Sequence, residues 1–162
     1  MYNYVTEELV GLVNADLPVD PARKSISSHS MDGHGALLIG VRNPDRYRSI
    51  SAFAPIAAAS LSVWGQPAFT AYLGADRDRW REYDVAEQIR KRPSKHELLV
   101  DQGTADPFLD KLRPADLQRA CGESGQKLRY RERAGYDHGY FFVSSFIGEH
   151  LEFHAAALRA SS

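Results

Sequence analysis

A chain of 162 residues, 43% apolar and 25% charged, is long enough to bury one domain's core and has the composition of an ordinary soluble globular protein. A net charge of −1, with lysines and arginines spread along the chain, argues against a nucleic-acid partner. A single cysteine, Cys121, excludes an internal disulfide, and no apolar run approaches the ~20 residues that cross a bilayer.

The elements follow in chain order. Val5, Leu9, Val10 and Val13 recur at helical spacing within Tyr2 to Val13, and Asn14 to Asp20 reads as a loop. Lys24 to His29 is a first strand, followed by a helix from Met31 to about Arg42 that Asn43-Pro44 ends. Ser49 to Ile56 is a second strand, Ala57 to Gly65 an irregular excursion, and Pro67 to Leu73 a short helix closed by Gly74. Arg77, Arg79 and Arg81 are interleaved with acidic residues and read as a solvated face. Asp84 is a candidate N-cap for a helix from Val85 to about Arg92. His96 to Asp101 is a third strand, Asp106-Pro107 opens a helical turn, and Pro114 to Ser124 is a helix ending at Gly125. Lys127 to Glu132 is a fourth strand and Gly135 to Gly139 a loop. The final helix, Tyr140 to Leu158, offers Phe142, Phe146, Ile147, Leu151 and Leu158 as its buried face. Strands alternating with helices predict an α/β fold, a parallel sheet flanked by crossover helices.

The loops after parallel strands carry sites, and here they hold Ser30, Asp106 and His138. Ser28-His29-Ser30-Met31-Asp32-Gly33 reads as a strand-turn-helix elbow that presents a serine, although the G-x-S-x-G frame would put glycine where Ser28 and Asp32 stand. A serine hydroxyl needs a base to take its proton, and the base needs an acid to hold its tautomer. Ser30 as nucleophile, His138 as base and Asp106 as orienting acid meet that need, in the chain order Ser, Asp, His. The backbone N–H of Met31 is the candidate oxyanion donor.

Each residue also has a plainer role. Ser30 and Asp106 suit helix caps, and His138 suits a loop. Asp101 is a rival acid at the end of its strand. His150 and His154 stand one turn apart, a metal-binding spacing without an evident third ligand. His29 and His34 read as packing, and Cys121 as a buried, inert thiol. For Asp32 three outcomes stand open: a clash where helix meets strand, opposition to a developing oxyanion, or a solvent-facing charge that favours the helix N-terminus.

With these residues in place, the chain resembles the S-formylglutathione hydrolase (esterase D) family from Tyr2 to about Leu158. The resemblance rests on S-H-S-M-D-G-H-G at the elbow and N-P-D-R-Y-R-S-I-S-A-F-A-P-I from Asn43. It also rests on W-G-Q-P-A-F-T-A-Y-L-G from Trp64, D-Q-G-T-A-D-P-F-L from Asp101 and G-Y-D-H-G-Y-F-F from Gly135. It implies an α/β-hydrolase domain spanning 1–162, N-terminally incomplete and starting near the elbow strand, which would then be an exposed sheet edge. The family's loop for a second oxyanion donor is not found here. The resemblance further implies catalysis by Ser30, Asp106 and His138 without metal or cofactor. The implied substrate is the small thioester S-formylglutathione, cleaved to glutathione and formate in formaldehyde detoxification. A homodimer is implied as well.

No basic start followed by an apolar run opens the chain, so a cytoplasmic location is expected. Two other readings use the same residues: an inactive family member serving as a binding or oligomerising module, and a carboxylic-ester hydrolase. Lys91, Arg92 and the Arg77 cluster are the candidate counter-charges for glutathione, with surface salt bridging as their plainer role.

Overall fold

Four short segments build the sheet; the two central ones are fully buried and the two outer ones carry more polar residues. In the computed structural model, which describes residues 2–160, they are β1 (Ile26–His29), β2 (Ile50–Phe53), β3 (Leu98–Gly103) and β4 (Leu128–Arg133). All neighbours are parallel, in the order β1-β2-β3-β4, with Ile26 opposite Ile50, Ile50 opposite Leu98 and Leu98 opposite Leu128. Parallel strands require crossovers, and helices supply them. α1 (Leu9–Asp16), entered through a π-helical turn at Tyr4–Glu8, precedes β1, and α2 (Ser30–Arg42) joins β1 to β2. α3 (Gly65–Leu73), α4 (Arg77–Arg81) and α5 (Val85–Lys91) lie between β2 and β3. α6 (Leu109–Leu112) and α7 (Pro114–Ser124) lie between β3 and β4, and α8 (Tyr140–Arg159) follows. The expected parallel α/β architecture is therefore present. Among the described residues no helix is long and apolar enough to cross a membrane.

The two-residue period of the strands sorts side chains to two faces. Ile50, Ala52, Leu98 and Val100 join Leu37, Leu38, Val41, Val85, Ile89 and Leu117 in the main core, under α2, α5 and α7. The alternate residues Ser49, Ser51, Phe53 and Asp101 face α8. Phe53 and Phe142 lie in a second cluster with Ile56 and Leu112.

That second face changes the expected reading of α8. Phe142, His150 and His154 are buried, whereas Ile147 and Leu151 are exposed. The buried stripe keeps strict four-residue spacing and meets serines, so it takes histidines where a purely apolar stripe was expected. Among the described residues no group of three metal-binding side chains forms around the two histidines: His150 Nδ1 lies 2.9 Å from Ser51 Oγ, and His154 bridges Ser49 Oγ at 2.7 Å and Ser51 Oγ at 2.8 Å.

The arginine cluster is also more than a solvated face. Asp76 accepts the Asp78 N–H at 2.9 Å, capping α4, and buried Trp80 anchors the helix with the Arg77 guanidinium over its ring. Asp84 caps α5 as expected, accepting from the Glu87 N–H at 3.2 Å.

Among the described residues β1 pairs with β2 alone, so its other edge is open. Beside it runs a groove of about 430 Å³, lined by Tyr2, Val5, Ile26, Leu38, Ile39 and Tyr83. The elbow strand is thus the exposed edge that the sequence predicts.

Candidate active site

The site forms where β1, β3 and β4 end. At the end of β1 the chain turns directly into α2, and Ser30, the first helical residue, takes φ +59°. A non-glycine residue there costs about 1–2 kcal/mol, and the sharp turn lifts its side chain clear of the sheet. Ser30 makes no capping bond; the N-cap position belongs to His29. Ser30 Oγ instead donates to His138 Nε2 at 2.8 Å.

His138 sits in the loop between β4 and α8. In the tautomer protonated at Nδ1 it donates to Asp106 Oδ2 at 2.7 Å. Asp106 is buried after β3 and accepts two further bonds, from Phe108 N–H at 2.8 Å and Gln102 Nε2 at 2.9 Å. Fixing the turn at Phe108 and holding His138 are therefore both done by one carboxylate, although the N-cap of α6 is Phe108 and not Asp106. Asp101, the rival acid, lies within β3 on the α8 face, with its oxygens on Arg131 and Arg133 and His150 at 3.7 Å. Burial opposes its ionisation, but the His150 ring and the two guanidiniums overcome that and hold it below the usual carboxylate range.

Asp32 is exposed beside the α2 N-terminus, so it does not clash. The close approach falls one residue later: a Cβ on Gly33 would lie 3.3 Å from Phe53 O and from Pro55 Cα. Met31 is the second residue of α2, where a backbone N–H has no partner four residues back within the helix. Its side chain is exposed.

The other elbow histidines have defined surroundings. His34 places Nδ1 2.8 Å from Ile56 O and Nε2 2.8 Å from Tyr83 O, tying α2 to the two loops beside it. His29 lies with its ring centroid 4.5 Å from that of His138 and 6.0 Å from that of Tyr140. Burial, and then the neighbouring His138, hold its pKa below the ordinary value of 6.5. Cys121 is buried, and burial pushes its thiol up to about 11, as suits an inert side chain.

The esterase family, described as "Putative esterase", matches residues 2–153. The chain belongs to this esterase family. The S-formylglutathione hydrolase of Mus musculus is 47% identical over 99% of the chain and 58% of its own length. That of Paracoccus denitrificans is 48% identical over 98% of the chain and 57% of its own length. Among solved structures, an S-formylglutathione hydrolase from Agrobacterium tumefaciens superposes with a TM-score of 0.94 at 46% identity, covering 98% of this chain and 57% of that one. The chain thus spans a little under three-fifths of these relatives. A ferulic acid esterase, 18% identical with a TM-score of 0.74 over 96% of this chain and 60% of its own, shares the fold alone.

Within this esterase fold, aromatic side chains flank the three residues. The Phe108 ring stands edge-on to His138 with centroids 5.2 Å apart, and Trp64 packs on Phe108 at 5.0 Å. Lys111, half-buried, holds its ammonium 4.8 Å from the Trp64 ring and 5.4 Å from the Phe108 ring. Lys111 belongs to no sequence motif; its only signal is its position three residues after Phe108. The counter-charges that the sequence did nominate lie elsewhere. Lys91 and Arg92 line a cleft with Tyr2, Arg42 and Asn43 at the far end of α2, roughly 18–20 Å along the helix from Ser30. The Arg77 cluster lies on α4, with Arg81 paired to Asp78 at 3.5 Å.

Proposed function

We propose that this chain carries the catalytic machinery of a serine thioesterase that hydrolyses S-formylglutathione to glutathione and formate, the late step of formaldehyde catabolism. The observation that carries this reading is the unbroken line Ser30 Oγ, His138 Nε2, His138 Nδ1 and Asp106 Oδ2, at 2.8 and 2.7 Å. The names of the relatives over nearly the whole chain support the choice of thioester.

The chemistry follows from the geometry. Ser30 Oγ attacks the formyl carbonyl carbon while its proton passes to His138 Nε2. The carboxylate of Asp106 stabilises the resulting imidazolium and keeps the ring in place. The Met31 N–H, at the positive end of α2, receives the oxyanion. Collapse breaks the carbon–sulfur bond, and His138 returns the proton to the leaving thiolate. A formyl ester remains on Ser30. Water, deprotonated by His138, attacks that ester and releases formate. No cofactor enters these steps. A cytoplasmic setting, where the glutathione pool keeps thiols reduced, and a homodimeric assembly belong to the same proposal.

The test is hydrolysis of S-formylglutathione and of a p-nitrophenyl ester, with Ser30→Ala as control. Turnover of the thioester that Ser30→Ala abolishes is the expected result. Equal rates for wild type and Ser30→Ala would refute the proposal, and turnover of the oxygen ester alone would favour a carboxylic-ester hydrolase.

A further inference from the structure

The Lys111 ammonium makes no ion pair among the described residues, although the chain has nearly equal numbers of acidic and basic side chains. Its contacts are the faces of Trp64 and Phe108, and Phe108 in turn touches His138. Aromatic faces steady a cation by about 0.5–1 kcal/mol at exposed sites, yet they leave its N–H donors unsatisfied. Trp64 is itself 39% exposed, so one side of this cation–aromatic unit faces outward. The backbone fixes the unit from below: Ser62 Oγ donates to Lys111 O at 2.8 Å, and Ala57 N–H donates to Leu112 O at 2.7 Å. Lys111 on α6 thereby holds a positive charge with no ion pair among the described residues, a single ring away from His138.

We infer that Lys111, backed by Trp64 and Phe108, is a specificity-determining residue that binds a carboxylate on the thiol half of the substrate. This rests on the thioesterase reading. A formyl group has no tail and no charge, so any charge that the site reads must lie on the thiol. Glutathione carries a carboxylate at each end, and Lys111 supplies the charge to hold one of them. The rings limit water around the ammonium, which strengthens its attraction for an anion.

The test measures binding, which does not require turnover. S-methylglutathione, a thioether with no acyl bond to cleave, and its diamide, which keeps the α-ammonium but has no carboxylate, are titrated calorimetrically into the whole chain at low salt. Wild type is expected to bind the dicarboxylate about two- to fivefold more tightly than the diamide, as a half-exposed ion pair would give. Lys111→Met keeps the stem over the rings and should lose that preference; Lys111→Arg should retain it. An unchanged preference in Lys111→Met, or none in wild type, would overturn the assignment. The two proposals fail separately: Ser30-dependent hydrolysis without the charge preference removes only Lys111, whereas the preference without hydrolysis removes the thioesterase.

Discussion

Asp106 holds three groups with one carboxylate, Gln102 Nε2 among them. Its Oδ1 fixes the turn through the Phe108 N–H, and its Oδ2 fixes the His138 ring. Asp106→Asn keeps an oxygen for the turn but presents an amide to one partner or the other, favouring the wrong tautomer of His138. Under the proposed mechanism kcat on a small ester falls about 10³–10⁴-fold while near-UV circular dichroism stays native. A loss below tenfold would mean that Asp106 does not orient the base. At this scale the sequence was informative wherever chemistry demands a residue type at a fixed point. Ser30, Asp106 and His138 were legible because each closes a loop after a strand, in a recognised order. The fate of Asp32 was not, since exposure depends on which neighbours stand beside the helix start. Lys111 was not either, because its partners Trp64 and Phe108 come from two separate loops.

Elements decide how close these loops come. At the end of β3, a Cβ on Gly103 would lie 2.2 Å from Tyr136 O and 2.8 Å from Asp137 O, in the loop that holds His138. The same Tyr136 carbonyl accepts the Ala105 N–H at 3.0 Å. Backbone cannot yield there without moving His138 from Asp106. Gly103→Ala is expected to cost about 1–3 kcal/mol in urea unfolding, as overpacking does, and to lower esterase activity at least about tenfold. A variant of native stability and activity would show that the loop is slack. Strand and helix positions were largely readable from periodicity and caps: α7 runs from Pro114 to Ser124 and ends at Gly125, as expected. The phase of α8 was misread in part, because apolar periodicity assigns Ile147 and Leu151 inward. Ser49 and Ser51, which arrive from a distant segment, supply the partners that His150 Nδ1 and both nitrogens of His154 meet. α4 was missed because five residues carry little periodic signal, even though Asp76 is a sound cap.

Across the whole molecule, the polar face beneath α8 couples acidity to stability. Burial first, and then neighbouring His150, push the pKa of His154 down from 6.5 to about 4. In the unfolded chain it takes its proton near the ordinary value; in the folded chain it resists until about pH 4. Its contribution is therefore complete above about pH 6.5 and is lost as pH falls towards 4, by roughly 3 kcal/mol in total. Urea midpoints of wild type should decline over that window, and those of His154→Gln should decline less; parallel curves would assign the effect elsewhere. The open edge of β1 is a feature of the same scale, and the sequence predicted it from the position of the elbow strand in the resemblance. Under the proposed mechanism this framework makes Ser30 a nucleophile. The most direct measurement is peptide mass mapping after reaction of the whole chain with a fluorophosphonate. A phosphonyl group on Ser30, lost in His138→Ala, is the predicted result; an unlabelled Ser30, or labelling that persists without His138, would contradict it.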